Sequence, residues 1–214
     1  MKNYYNMIIT TLKQQLKSLK RDRLYTALNL CGFVLGLSVS MILALYVYRE
    51  YNIDKCFPDH KNIYLLVNAK DNSVRIDCDL AEMLKDRFPE VENTTVLGGG
   101  AFSGAYLHGI SNNEFLNNIW IGSVNNDFFR MFSVKTLIGD PNSPFADPNS
   151  AVLTASTAQK LFGRLDVVGE SVSFLGYLDF VVSAVVEDMP ENSGFSKIEM
   201  FANSQNKDTD RYNR

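Results

Sequence analysis

The 214-residue chain is poor in the residues that most often carry chemistry: three cysteines, two histidines and one tryptophan. Three thiols cannot build the multi-bridge framework of a small secreted scaffold. His60 and His108 stand apart, so no metal-ligand spacing exists, and His60 beside Asp59 and Cys56 reads as a solvated turn. His108, isolated among Tyr106, Leu107 and Ile110, reads as a packed or surface side chain. There is no G-x-S-x-G elbow, and Gly98, Gly99 and Gly100 are not followed by the Gly-Lys-Ser/Thr of a phosphate loop. A basic surface is lacking too. Lys and Arg number 21 against 24 Asp and Glu, for a formal charge of -3, so nucleic acid is not an expected partner.

What the chain does have is one long stretch without charge. Residues 24–48 run LYTALNLCGFVLGLSVSMILALYVY, enough to cross a hydrocarbon core of roughly 30 Å as a helix. Up to residue 23 there are six basic side chains against the single acid Asp22, whereas residues 49–214 carry 15 basic against 23 acidic. The positive-inside rule then puts the N-terminus in the cytoplasm and the main region outside. A cleaved signal peptide would have an apolar core of about 7 to 15 residues and a small-residue cleavage site. This run is longer and ends in Tyr46, Val47, Tyr48 and Arg49, so an uncleaved anchor is expected.

Within the run Gly32, Gly36, Ser40 and Ala44 recur every four residues and fall on one helical face. Such stripes let transmembrane backbones approach closely, although small residues are also common on lipid-facing surfaces. Cys31 lies in the same span as a small packing residue; Cys56 and Cys78 both follow it, and spacing alone leaves their pairing open.

The flanks organise as follows. Ile8, Ile9, Leu12, Leu16 and Leu19 oppose Lys13, Gln14, Lys17, Lys20 and Arg21, the pattern of a helix lying on the cytoplasmic leaflet. Beyond the span, strands are expected at residues 63–67, 94–97, 118–124, 151–153, 170–174 and 179–186, the last central because it is almost continuously apolar. Helices are expected at residues 79–88, stopped by Pro89, and after Thr154 or Ser156 up to Gly163. Asp127, Phe128, Phe129 and Phe132 suggest a capped turn or short helix that buries rings; the glycine run reads as a flexible turn, residues 101–118 as a mixed pattern and residues 141–148 as a loop. The fold class is α+β: an amphipathic helix (1–23), one transmembrane helix (24–48), a mixed α/β domain (49–202) and a polar tail (203–214).

The ordered blocks resemble a known family. Asn29, Gly32 and Gly36, then Ile53-Asp54-Lys55-Cys56-Phe57, Asn62-Ile63-Tyr64 and Phe88-Pro89-Glu90-Val91-Glu92, are similar to the N-terminal part of MacB-like and FtsX-like ABC transporter permeases. So are Asp127-Phe128-Phe129-x-x-Phe132, Leu137-x-Gly139, Ala151-Val152-Leu153-Thr154, Ala158-x-Lys160-Leu161-Phe162-Gly163, Val168-Gly169, and Phe180-Val181-Val182 through Asp188-x-Pro190.

The resemblance implies a periplasmic core domain with porter-like βαβ elements, held in a bacterial inner membrane. It implies a non-enzymatic permease subunit, with ATP and Mg bound on a separate cytoplasmic ATPase, and a second permease copy, membrane lipid and a periplasmic adaptor as partners. Movement of the domain would serve efflux or lipoprotein and envelope export. Family members return to the membrane for further helices, so an N-terminal fragment is expected here. The alternative is a single-pass anchored binding or sensor domain, complete as it stands.

Overall fold

In the computed structural model, which describes residues 7, 10, 23–70, 73–74, 78–101 and 106–206, the apolar run is one continuous α-helix, α1 (Arg23–Tyr51, 29 residues). At about 1.5 Å per residue it is long enough for a bilayer crossing, and it passes that test by composition as well. Its polar side chains turn back on the helix: Ser38 Oγ donates to the Val34 carbonyl and Ser40 Oγ to that of Gly36, both at 2.8 Å. In hydrocarbon such bonds spare each hydroxyl the cost of having no partner. The Asn52 side chain donates to the Tyr48 carbonyl at 2.8 Å and so closes the last turn. The amphipathic segment before α1 lies outside the described residues, apart from Met7 and Thr10, which are helical.

Chain contacts divide the protein at Asn52 and Ile53 into two units. The second begins with turns and a short 3₁₀ helix (His60–Asn62). After it come α2 (Cys78–Arg87), β1 (Gly98–Ala101), β2 (Tyr106–Gly109), β3 (Glu114–Asn117), β4 (Trp120–Val124), α3 (Asn126–Met131) and β5 (Thr136–Ile138). Then follow β6 (Ser150–Thr154), α4 (Ala155–Phe162), β7 (Ser171–Phe174), β8 (Leu178–Val186) and β9 (Met200–Asn203). Among the described residues nine strands form one mixed sheet in the order β1-β4-β9-β6-β8-β7-β2-β3, with β5 also on β8. The pairs β4/β9 and β6/β8 are parallel and the others antiparallel. β8 is long enough for β7 to pair with residues 178–181 while β5 pairs with residues 185–186.

Two apolar layers sandwich the middle of this sheet. On β6, Ala151 and Leu153 enter one cluster and Val152 the other; on β9, Met200 and Ala202 enter the first and Phe201 the second. The two-residue side-chain period of a strand sends neighbours to opposite faces, so a strand covered on both sides reads as unbroken apolar sequence. The first layer lies under α4, through Ala158 and Leu161. Phenylalanines dominate the second. Phe128 is fully buried, with ring centroids 4.8 Å from Phe132, 5.3 Å from both Phe195 and Phe201, and 5.6 Å from Phe129.

Local chemistry sets the element ends. Thr154 is the N-cap of α4, its Oγ1 accepting from the Thr157 amide, and Gly163 ends the helix in the left-handed conformation at φ 69°. Asp188, just past β8, accepts from the Ser156 amide at 3.0 Å and from the Ser156 hydroxyl, placing a carboxylate at the helix start. Gly139 has φ 105°, and a Cβ there would sit 2.7 Å from the Ser183 carbonyl oxygen. Glycine is what lets the end of β5 close on β8.

The expected strands at residues 118–124, 151–153, 170–174 and 179–186 are present as β4, β6, β7 and β8, and both expected helices form within a residue or so of their bounds. Four expectations are corrected. Residues 63–67 make no strand, because a strand exists only against a partner and none of the described strands lies beside them. The strand expected at residues 94–97 is displaced onto the glycines: β1 pairs antiparallel with β4, Gly98 opposite Ser123. The region read as mixed between residues 101 and 118 contains the β2/β3 hairpin. The polar stretch from Asn203 starts inside β9, and residues 203–206 remain tied to the domain, with Ser204 N donating to the Val124 carbonyl at 2.9 Å.

Phe128→Ala, which empties a fully buried ring site, is expected to destabilise the domain by about 3–5 kcal/mol. Phe115→Ala, at a ring 50% exposed, is expected to cost no more than about 1 kcal/mol. Denaturant unfolding of the two variants followed by circular dichroism separates these outcomes.

Candidate functional site

The residues singled out in α1 stay where spacing puts them. A Cβ added at Gly32 or Gly36 would meet nothing within 4 Å, so among the described residues no other segment packs there. His60 directs Nδ1 at the Phe57 carbonyl, 2.9 Å away, which is a turn contact. Among the described residues no three His, Cys, Asp or Glu side chains gather as a metal site would require. Cys56 carries a free thiol, and the Cys78 side chain lies outside what is described. Partial desolvation, seconded by the Asp54 carboxylate, pushes the Cys56 thiol above its ordinary value, which keeps it protonated at neutral pH.

His108 is likewise structural. Its ring stacks on Phe115 with centroids 4.2 Å apart and 7° between the planes, and Nε2 lies 3.1 Å from Asn113 Oδ1.

A polar cleft of about 400 Å³ opens at the carboxyl ends of the parallel strands β4 and β9, among Lys85, Asn125, Asn126, Asp127, Asn203 and Gln205. Its polar groups are largely spent on the fold. Asn125 caps α3 and donates to the Thr94 carbonyl; Asn126 both donates to and accepts from Phe145; Asn203 donates to the Asp147 carbonyl. Asp127 is paired with Lys85 at 3.4 Å and with Arg130. These side chains pin loops, and they leave no nucleophile beside a base.

The domain's first residues make the more informative arrangement. Asp54 sits in the left-handed region at φ 61°, a conformation that a short carboxylate side chain tolerates. Its amide donates to the Asn192 carbonyl at 3.0 Å, and its Oδ1 accepts from the Gly194 amide at 2.8 Å. Three residues on, Phe57 is 4% exposed, edge-on to Phe132 at 4.9 Å and 5.9 Å from Phe195. The three partners beyond residue 190, Asn192, Gly194 and Phe195, belong to the loop that joins β8 to β9. Sequence reading could not find this arrangement, because 140 positions separate Asp54 from Gly194. Asp54 and Phe57 lie in one of the blocks quoted above, whereas Asn192, Gly194 and Phe195 lie beyond Asp188-x-Pro190 and in none of them.

Asp54→Ala removes an acceptor and places a β-carbon residue with no local hydrogen bond at positive φ, so a loss of about 1–3 kcal/mol is expected. Asp54→Asn keeps an acceptor and the backbone tolerance and is expected to lose less than half as much; thermal melting of the two checks this. Alkylation of Cys56 by iodoacetamide at pH 8 is expected to run slower than that of an unstructured cysteine peptide, because the raised thiol holds less thiolate.

Comparison with known proteins follows the same lines. The family model described as MacB-like periplasmic core domain matches residues 26–208. No curated protein matches significantly. Among solved structures, a domain of a putative permease protein from Porphyromonas gingivalis is 20% identical, with a TM-score of 0.48, over 58% of this chain and 51% of that one. The periplasmic region of MacB from Actinobacillus actinomycetemcomitans is 15% identical, with a TM-score of 0.48, over 64% and 59%. The extracellular domain of the noncanonic ABC-type transporter YknZ from Gram-positive bacteria is 16% identical, with a TM-score of 0.37, over 50% and 54%. The chain thus spans between half and three-fifths of the solved chains it matches. The family match runs through the apolar helix and the sheet domain alike, and the chain belongs to the MacB-like periplasmic core domain family of ABC-transporter-type permeases.

Proposed function

We propose that this chain supplies the first membrane helix and the periplasmic core of a permease subunit, and that a separate cytoplasmic ATPase drives it. The observation that carries this reading is the family match over residues 26–208, which takes in helix and domain together. The domain's polar cleft supports it from another side, since its amides and charges hold loops in place. ATP and Mg are then bound by the partner, and the work done on this chain is displacement of a folded body outside the membrane. Efflux and export of lipoproteins or other envelope components are the tasks such displacement serves.

The charge asymmetry about α1 supports a bacterial inner-membrane location with a cytoplasmic N-terminus. Gly32, Gly36, Ser40 and Ala44 make the face on which α1 packs against another permease helix, in this subunit or in its second copy.

Affinity purification of the tagged permease from its native membrane in mild detergent is expected to bring down an ABC-type ATPase, and recovery of the permease without any ATPase would overturn the reading. Gly32→Leu/Gly36→Leu is expected to lower disulfide cross-linking between membrane helices severalfold while leaving the domain's melting temperature unchanged.

A further inference from the structure

We infer that Asp54 and Phe57 clasp the domain's entry segment to the loop between β8 and β9, so that displacement arriving at Ile53 is delivered to the two-faced centre of the sheet. The inference rests on the permease reading for its purpose, but its geometry lies wholly within the domain. Residues 53–62 could have been a slack leader. Instead the first backbone donor after Ile53, the Asp54 amide, is already bonded to the Asn192 carbonyl at 3.0 Å. The Asp54 carboxylate accepts from the Gly194 amide at 2.8 Å, and a charged acceptor makes this one of the stronger hydrogen-bond types. Phe57, 4% exposed, then lodges against Phe132 and Phe195.

The far side of the clasp is braced. Phe195 lies 4.6 Å from Phe132 and 5.3 Å from Phe128, Ser193 N donates to the Pro190 carbonyl at 3.0 Å, and Ile198 N to that of Phe195 at 2.9 Å. On one side this loop continues from β8, whose last residues Val185 and Val186 are fully buried. On the other it leads into β9, buried along its whole length between β4 and β6. Close-packed interiors pass displacement on because they have little room to deform. A pull on residue 53 therefore meets the Asp54 bonds and the Phe57 ring first, and behind them the central strands.

Optical-tweezer extension of the full chain tests this, with handles attached through Asn52→Cys and Gln205→Cys. Wild type and Asp54→Asn are expected to unfold with no event before the domain's main rupture. Asp54→Ala/Phe57→Ala is expected to show an added early step of about 3.5 nm, the extended length of residues 53–62 at roughly 3.3–3.6 Å each. An early step of that size in wild type, or its absence in the double variant, overturns the clasp. Should the double variant not fold, hydrogen exchange on Asp54→Ala decides: the Gly194 amide is expected to exchange at least about tenfold faster while β6 is unchanged, and equal rates at Gly194 overturn it. None of these readouts needs an ATPase, so failure of the permease reading and failure of the clasp are separate results.

Discussion

Mutual burial of phenylalanine rings holds this domain together. Phe57 from the entry segment, Phe128, Phe129 and Phe132 from in and around α3, Phe145 from the long loop, Phe195 from the β8–β9 loop and Phe201 from β9 share one apolar layer. Edge-on pairs recur, as between Phe129 and Phe145 at 5.5 Å and between Phe132 and Phe195 at 4.6 Å. Each such pair adds about 0.5–1.5 kcal/mol beyond the area it buries. Five separate stretches of chain meet there, so the layer ties local elements into one body. Without it the second face of β6, β8 and β9 would lie open, and their apolar residues would have no second cover.

That constraint explains which parts of the fold were legible in sequence. β8 was readable because it is nine residues long and nearly all apolar. α4 was readable because Thr154, Leu161 and Gly163 mark its cap, its buried face and its end. β9 was not: its four residues show no alternation, because Met200 and Ala202 serve one layer and Phe201 the other. β1 was hidden for the opposite reason. Glycines carry no side-chain pattern, and only the ladder to β4 makes them a strand. Residues 63–67 have strand composition and lack a partner among the described strands, so Tyr64 and Leu65 are left 82% and 77% exposed. Propensity alone does not make a strand.

The candidate site divides along the same line. The small-residue stripe of α1 is a matter of spacing and could be read directly, whereas the Asp54 clasp depends on a contact between segments at opposite ends of the domain. Only its entry half, Asp54 and Phe57, lies in a block that could be quoted from the sequence. What the polar cleft contributes is also a matter of contact: its asparagines look functional in isolation and prove to be cap and loop ties once their hydrogen bonds are followed.

On the permease reading proposed above, this domain is displaced as one body. Its centre is covered on both faces, its polar groups serve its own loops, and its entry segment is seated in the aromatic layer. The most direct measurement is electron–electron distance spectroscopy on the complete transporter in native-lipid nanodiscs, spin-labelled at Asp166→Cys in two permease copies. Together with a second label at Glu191→Cys, it compares the nucleotide-free and ATP-trapped states. The account predicts that the Asp166 distance between copies shifts by more than its width while the Asp166 to Glu191 distance within one domain stays constant. An unchanged distance between copies, or a domain whose internal distance changes with nucleotide, would contradict it.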